Sequence, residues 1–198
     1  MTAQARVAGI LLAAGRGARF DPDGAANKLM AAVPGRDAVV VACAAGALLG
    51  ALTDVLAVVR PGAAEVASQL RALGCRVSTC PDADQGMGAS LVHALEQTRD
   101  AAAWVIALGD MPHVQTATVR ALLAALANGA DIAAPLCQGR RGNPVAFGRT
   151  HLGRLLKLGG DAGARSLLRE WPVTEVEVDD PGIHRDVDFP EDLRTWTA

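Results

Sequence analysis

The sequence predicts an α/β fold: a mostly parallel sheet covered by helices, with a small β-rich excursion near the carboxyl end. Three observations carry that expectation. Apolar runs of strand length recur roughly every 25 residues, with helix-patterned segments between them, which is the signature of crossover-connected parallel strands. The early runs are apolar throughout, as strands buried on both faces must be. After about residue 130 the spacing shortens and polar turns appear, which marks a hairpin or antiparallel excursion.

In chain order, Val7 to Ala14 is the first strand and stops in a glycine loop. Asp37 to Ala51 is apolar, small and long enough for a helix. Asp54 to Val59 reads as a second buried strand, and Pro61-Gly62 opens a helix reaching Leu73, with Val66, Leu70 and Leu73 at helical spacing. Cys75 to Thr79 is a shorter strand, Gly88 to Thr98 a helix, and Ala101 to Leu108 a fourth strand ending at Gly109-Asp110-Met111-Pro112. Val119, Leu122, Leu123 and Leu126 define the next helix, stopped by Gly129. Strands at 131–135 and 144–147 flank the polar loop Gln138 to Gly142. Short helices near 151–157 and 162–170, strands near 173–178 and 183–188, and a closing helix from Pro190 complete the expectation.

At 198 residues the chain is expected to form a single domain over 1–198. Apolar residues make up 51%, enough for a core, while aromatics are 3%, so packing must rely on small and branched aliphatics. A net charge of −2 argues against a broad nucleic-acid surface and makes local positive charge read as a site. Cys43, Cys75, Cys80 and Cys137 show neither C-x-x-C nor metal-ligand spacing, which points to reduced thiols in the cytoplasm. No export signal or membrane span is expected.

The loop Ala13-Ala14-Gly15-Arg16-Gly17-Ala18-Arg19, closing at Asn27-Lys28, pairs small residues with three cations at a strand's carboxyl end. Backbone N–H groups can approach a ligand closely there, and Arg16, Arg19 and Lys28 add charge, which suits a polyphosphate. It is not a Walker A loop, because the chain contains no Gly-Lys pair, and a dinucleotide fingerprint would need a third glycine where Phe20 stands. Asp110 is delivered by an apolar strand into the same crevice and suits Mg2+ beside a triphosphate; a turn or helix cap is the alternative. If 183–188 is a strand, alternation sets His184, Asp186 and Asp188 on one face, where such groups need solvent, partners or metal. Gly86 and Ser90 sit where the loop Pro81 to Gly88 enters a helix, so the Ser90 hydroxyl either contacts a nucleoside or caps its own helix. His93, His113 and His151 stand alone and read as packing or surface.

Taken in order, Leu12-Ala13-Ala14-Gly15-Arg16-Gly17-Ala18-Arg19 with Lys28, Gln85-Gly86-Met87-Gly88-Ala89-Ser90-Leu91, Gly109-Asp110-Met111-Pro112, Arg141-Gly142-Asn143-Pro144-Val145-Ala146-Phe147, Gly160-Asp161-Ala162-Gly163-Ala164-Arg165 and Asp186-Val187-Asp188-Phe189-Pro190-Glu191-Asp192-Leu193 resemble the molybdenum cofactor cytidylyltransferases, within the MobA-like nucleotidyltransferases. The resemblance spans nearly the whole chain. It implies a three-layer αβα, mononucleotide-binding (Rossmann-like) nucleotidyltransferase fold and transfer of CMP from CTP to the terminal phosphate of molybdenum-bearing molybdopterin, with pyrophosphate released. It implies Arg16, Arg19, Lys28 and Asp110 as catalytic groups and Mg2+ on Asp110 and Asp188. The ligand wall would comprise Leu12, Ala13, Ala14, Gly15, Arg16, Gly17, Lys28, Gly86, Ser90, Asn143, Asp161 and Arg165. A molybdenum hydroxylase is the implied recipient of the product. The family's guanylyl-transferring relatives usually carry Leu-Ala-Gly-Gly, so Leu12-Ala13-Ala14-Gly15 favours CTP. Departures fall at Phe20-Asp21, at Asn143 in place of a histidine, and at Phe189 in place of a threonine. Another nucleotide or a different phosphate-ester acceptor, a non-catalytic cofactor carrier, and a reductase with a nicotinamide cofactor, which the missing third glycine counts against, are the competing expectations.

Overall fold

The computed structural model describes residues 6–21, 26–160 and 164–194. Its strands form one mixed sheet in the order β3-β2-β1-β4-β7-β5, with β6 and β8 also pairing with β5. The central strands β1 (Val7–Ala13), β2 (Val55–Val59), β3 (Arg76–Thr79) and β4 (Ala103–Leu108) run parallel, with Leu12 opposite both Val58 and Leu108. β5 (Ile132–Cys137), β6 (Arg140–Arg141) and β7 (Val145–Gly148) supply the antiparallel excursion, and β7 inserts between β4 and β5. β8 (Thr174–Glu177) returns parallel to β5.

Helices cover both faces, and period-two alternation along the strands divides the core between them. Leu11 and Ala13 of β1 pack with α1 (Val40–Leu49), α2 (Ala64–Ala72) and α4 (Thr116–Ala127) through Val41, Leu48, Val66, Leu70, Val119 and Leu122. Ile10 and Leu12 face the other way, toward α3 (Met87–Glu96), α5 (Leu152–Leu155) and α6 (Arg165–Glu170), meeting Leu91, Leu95 and Leu155. Trp104, fully buried in β4, keeps its indole N–H satisfied by donating to Thr98 Oγ1 at 3.0 Å, and that hydroxyl donates to Ala94 O at 2.9 Å. The three-layer α/β expectation therefore holds, with a mostly parallel sheet.

Several boundaries differ from expectation, and four of the differences have an identifiable local cause. The first helix begins at Val40 and not Asp37, because Ala32 bridges Val39 and Val33 N donates to Ala38 O at 3.0 Å, closing a turn around Gly35. The polar stretch 138–142 is not all loop: Gln138 and Gly139 both take positive φ, the geometry of a tight two-residue hairpin, and Arg140–Arg141 return along β5. Residues 183–188 are not a strand. Asp180 and Pro181 start a short turn over Pro181–His184, and the segment's backbone bonds go to loops, Val187 N to Asp110 O at 2.8 Å and Asn143 N to Ile183 O at 3.0 Å. The expected helix after Pro190 is a single turn, Pro190–Leu193, whose Asp192 carboxylate accepts from Asp188 N at 2.8 Å and Phe189 N at 2.7 Å.

One buried carboxylate ties the carboxyl-terminal segment to the sheet. Asp180 is 1% exposed and accepts from Gln115 N at 2.9 Å, Thr118 Oγ1 at 2.6 Å and Gly182 N at 3.0 Å. It thus supplies, from 65 positions away in sequence, the cap that α4 lacks from its own N-cap residue. Asp180→Ala leaves those donors without their acceptor and is expected to cost about 3 kcal/mol in urea denaturation. A loss below about 0.5 kcal/mol would contradict this account of the clamp.

Candidate active site

The chain leaves β1 for β2 and β3 on one side and then crosses back to β4 on the other, so the strand order reverses between β1 and β4. A crevice opens outside the carboxyl ends of strands at such a switch point. The cleft found there, of about 290 Å3, is lined by Leu12 of β1, by Ala14, Gly15 and Arg16 from the loop after it, by Asp84, Gly86, Met87 and Ser90, and by Leu108 and Asp110. Two glycines shape it. Gly17, at φ 66°, turns the loop so that its carbonyl accepts from Phe20 N, and the aliphatic stem of Lys28 runs alongside it. Gly86, at φ 108°, lets the wall turn directly into α3.

Lys28 is the electrostatic centre. Its side chain is almost wholly buried, and Nζ donates to Asp110 Oδ2 at 2.7 Å and Asp188 Oδ1 at 3.2 Å. Asp188 also accepts from Arg19 Nη1 at 2.6 Å. Burial alone would lower the Lys28 pKa, but Asp110 and Asp188 outweigh it and hold the ammonium above its ordinary value. Asp188 is the mirror case: desolvation pushes its carboxyl up, and Lys28 and Arg19 together bring it below the usual carboxylate range. Because the folded pKa of Asp188 is depressed, its stabilisation is present at neutral pH and is lost only as pH falls through that lowered value.

The structure brings Leu12, Ala14, Gly15, Arg16, Gly86, Ser90 and Asp110 onto one cleft, with Gly17 and Lys28 directly behind the loop. Asp188 and Arg19 join through ion pairs, although Asp188 arrives on a loop and not on a strand. The expected row of His184, Asp186 and Asp188 does not form: the turn at Pro181–His184 sends His184 Nε2 to Cys137 O at 3.2 Å and leaves Asp186 exposed. Ala13, expected on the ligand wall, does not line the cleft, because its side chain packs in the core on the other face of the sheet. Ser90 is buried on the cleft wall in the first turn of α3. Asn143 lines a small adjoining recess that shares Leu12, Met87 and Leu108 with the main cleft. Asp161 and the Arg165 side chain lie outside the described residues.

Sequence reading missed two charged residues. Asp84 stands on the cleft wall and accepts from Arg16 Nε at 2.9 Å and Arg60 Nη2 at 3.1 Å. Arg60 could have been found by position, because it directly follows β2 and every strand of this parallel set ends at the same rim. Of the isolated histidines, His93 bonds Ser78 Oγ at 2.8 Å, and His151 is buried edge-on to Phe147 and Trp171. The four cysteines are free thiols, and burial lifts Cys75 to about 11, well away from thiolate chemistry.

Asp110 and Asp188 suit a divalent cation by a direct criterion, since both carboxylates already converge on one positive charge, Lys28 Nζ. Among the described residues no group of three or more His, Cys, Asp or Glu gathers as a ready-made cage. Two hard carboxylates beside a polyphosphate site are what Mg2+ or Mn2+ uses, with phosphate oxygens and water completing the shell.

Comparison with known proteins bears on the family and the fold. Residues 9–176 match the family model for the MobA-like NTP transferase domain. The crystal structure of Rv0371c from Mycobacterium tuberculosis H37Rv superposes with a TM-score of 0.84 at 30% identity, covering 98% of this chain and 97% of that one. A manganese complex of Rv0371c gives 0.78 at 28% identity over 96% of each chain. A nucleotidyl transferase from Methanothermobacter gives 0.79 at 25% identity over 94% of each. Among curated proteins the comparison found no match.

Proposed function

Because this chain belongs to the MobA-like NTP transferase family, we propose that it transfers CMP from CTP to the terminal phosphate of molybdenum-bearing molybdopterin and releases pyrophosphate. The observation that carries the transferase reading is the convergence of Arg16, Lys28 and Asp110 at the switch-point cleft, where cations and a metal-suited carboxylate meet a small-residue loop. CTP as donor rests on Leu12-Ala13-Ala14-Gly15, and the acceptor rests on the later motifs of the sequence.

In this reading an oxygen of the acceptor phosphate attacks the α-phosphorus in line. The new P–O bond forms as the bond to the β-phosphate oxygen breaks, and the electron pair leaves with pyrophosphate. No protein nucleophile is required, so the residues act by positioning and charge neutralisation. Arg16, Arg19 and Lys28 hold the triphosphate and offset the charge gathering on the leaving group. Gly15, Gly17 and Gly86 let backbone amides approach, and Ser90 faces the nucleoside. Asn143 borders the acceptor in this reading, and the motif assigns Asp161 and Arg165 to the same substrate. Asp110 and Asp188 hold the divalent ion, Mg2+ in this proposal, which neutralises phosphate charge when bound; the manganese complex of a relative supports a site for such an ion. With four free thiols, the chain would work in the cytoplasm, where a molybdenum hydroxylase could receive the product.

The test is donor and acceptor selection by the purified full chain with Mg2+. Label from α-labelled CTP should appear on molybdenum-bearing molybdopterin, and GTP should serve at least about tenfold less well. Equal use of GTP would remove the cytidylyl assignment, and label only on sugar phosphates would remove the acceptor. Nucleotide binding without turnover on any acceptor would leave the carrier reading in its place.

A further inference from the structure

Arg16, on the first loop, is already engaged in this structure, although its side chain stays largely exposed. Arg16 and Arg60 reach the same atom, Asp84 Oδ1, at 2.9 Å and 3.1 Å. Asp84 sits on the turn Ala83–Gln85, which forms the cleft wall opposite Gly15, and Arg60 sits at the carboxyl end of β2, beside the β1 loop. The Arg60 side chain is about half as exposed as that of Arg16, 32% against 62%, so its guanidinium is presented from a more fixed stem. A single carboxylate faces two guanidinium groups, so the trio keeps a net positive charge and an unmet capacity for anions. Arginine forks bind phosphate oxygens in pairs, which one carboxylate shared between two arginines cannot provide. The carboxylates of Asp110 and Asp188 face Lys28 and Arg19 and suit a metal; among the described residues, Asp84 pairs with the arginines alone.

We propose that Arg60 is a further phosphate-binding residue of this cleft, and that Asp84 is an internal counter-anion holding Arg16 and Arg60 until a polyphosphate displaces it. This rests on the nucleotide-binding reading above and adds to it a residue and a built-in competitor. Exposed charge pairs are individually weak, so the latch is cheap to open. Its effect is to discourage weakly charged ligands, which cannot replace the carboxylate, while a triphosphate or pyrophosphate can. Screening should abolish the difference, because the competing groups are solvent-exposed.

The test is calorimetric titration of the full chain with inorganic pyrophosphate and, separately, CTP, in EDTA at low salt. Asp84→Asn should tighten both ligands about fivefold, and that gain should vanish near 1 M salt. Asp84→Glu should stay near wild type. Adding Arg60→Ala to Asp84→Asn should take the gain away. Unchanged affinity in Asp84→Asn, with an unaltered circular dichroism spectrum, overturns the latch. So does weaker CTP binding with pyrophosphate unaffected, which would make Asp84 a nucleoside contact. Failure of the wild type to bind either ligand would sink the nucleotide reading together with the latch, whereas normal wild-type binding without a gain sinks the latch alone.

Discussion

Asp110→Ala is expected to lower kcat/KM for pyrophosphate release by about 1,000-fold, the upper range for removing one preorganised charged group from a transfer site. The substitution takes one of the two carboxylates away from Lys28 and from the position a divalent ion would share with Asp188. It should do so without unfolding the rim, because the contact that anchors the carboxyl-terminal segment there is Val187 N to the Asp110 carbonyl, which alanine keeps. Asp186→Ala is the matched control: that carboxylate is exposed, and its removal should leave the rate within about twofold. Full activity in Asp110→Ala, measured by steady-state pyrophosphate release, would remove Asp110 from the reaction.

Lys28→Met should give a paired result. Transfer falls by about 100-fold, because the buried cation that offsets triphosphate charge is gone. The metal-free protein also loses about 2 kcal/mol, since Asp110 and Asp188 are left facing each other without their shared partner. The sign of the metal effect is the diagnostic part. Lys28 Nζ occupies the place between the two carboxylates, so removing it should strengthen Mn2+ binding to the nucleotide-free protein while activity drops. Melting temperatures with EDTA and with Mn2+ read this directly: the variant should recover more of its loss on adding metal than the wild type gains. Weaker metal binding in Lys28→Met would contradict a site shared between lysine and cation.

Much of the fold could be read from residue pattern because β1, β2 and β4 are buried on both faces, and burial on both faces is what an uninterrupted apolar run records. The first half of the site was legible for the same reason. A strand of known polarity places whatever follows it at the carboxyl rim, so Gly15, Arg16 and Asp110 were located before any side-chain geometry was known. Arg60 obeys the same rule and was passed over because it lacks glycine neighbours on its amino side. Asp188 was assigned to metal from its motif, but its approach was misjudged. Period-two alternation assumes a strand, whereas the backbone from 183 to 188 is held by bonds to Asp110 and Asn143, distant in sequence and invisible to any local pattern. The Asp84 latch was out of reach for a related reason, since its partners lie 68 and 24 positions away and meet it only through the sheet order.

The central claim is that Asp110 and Asp188 hold one divalent ion against a nucleoside triphosphate lying between the Gly15 loop and α3. A crystal structure of the full chain with Mn2+ and CTP, read by the anomalous signal of manganese, tests it most directly. The expected result is a single manganese peak within coordination distance of both carboxylates, with Lys28 Nζ moved onto phosphate oxygen and the triphosphate against Gly15 and Arg16. Manganese elsewhere, or CTP bound outside this cleft, would contradict the account.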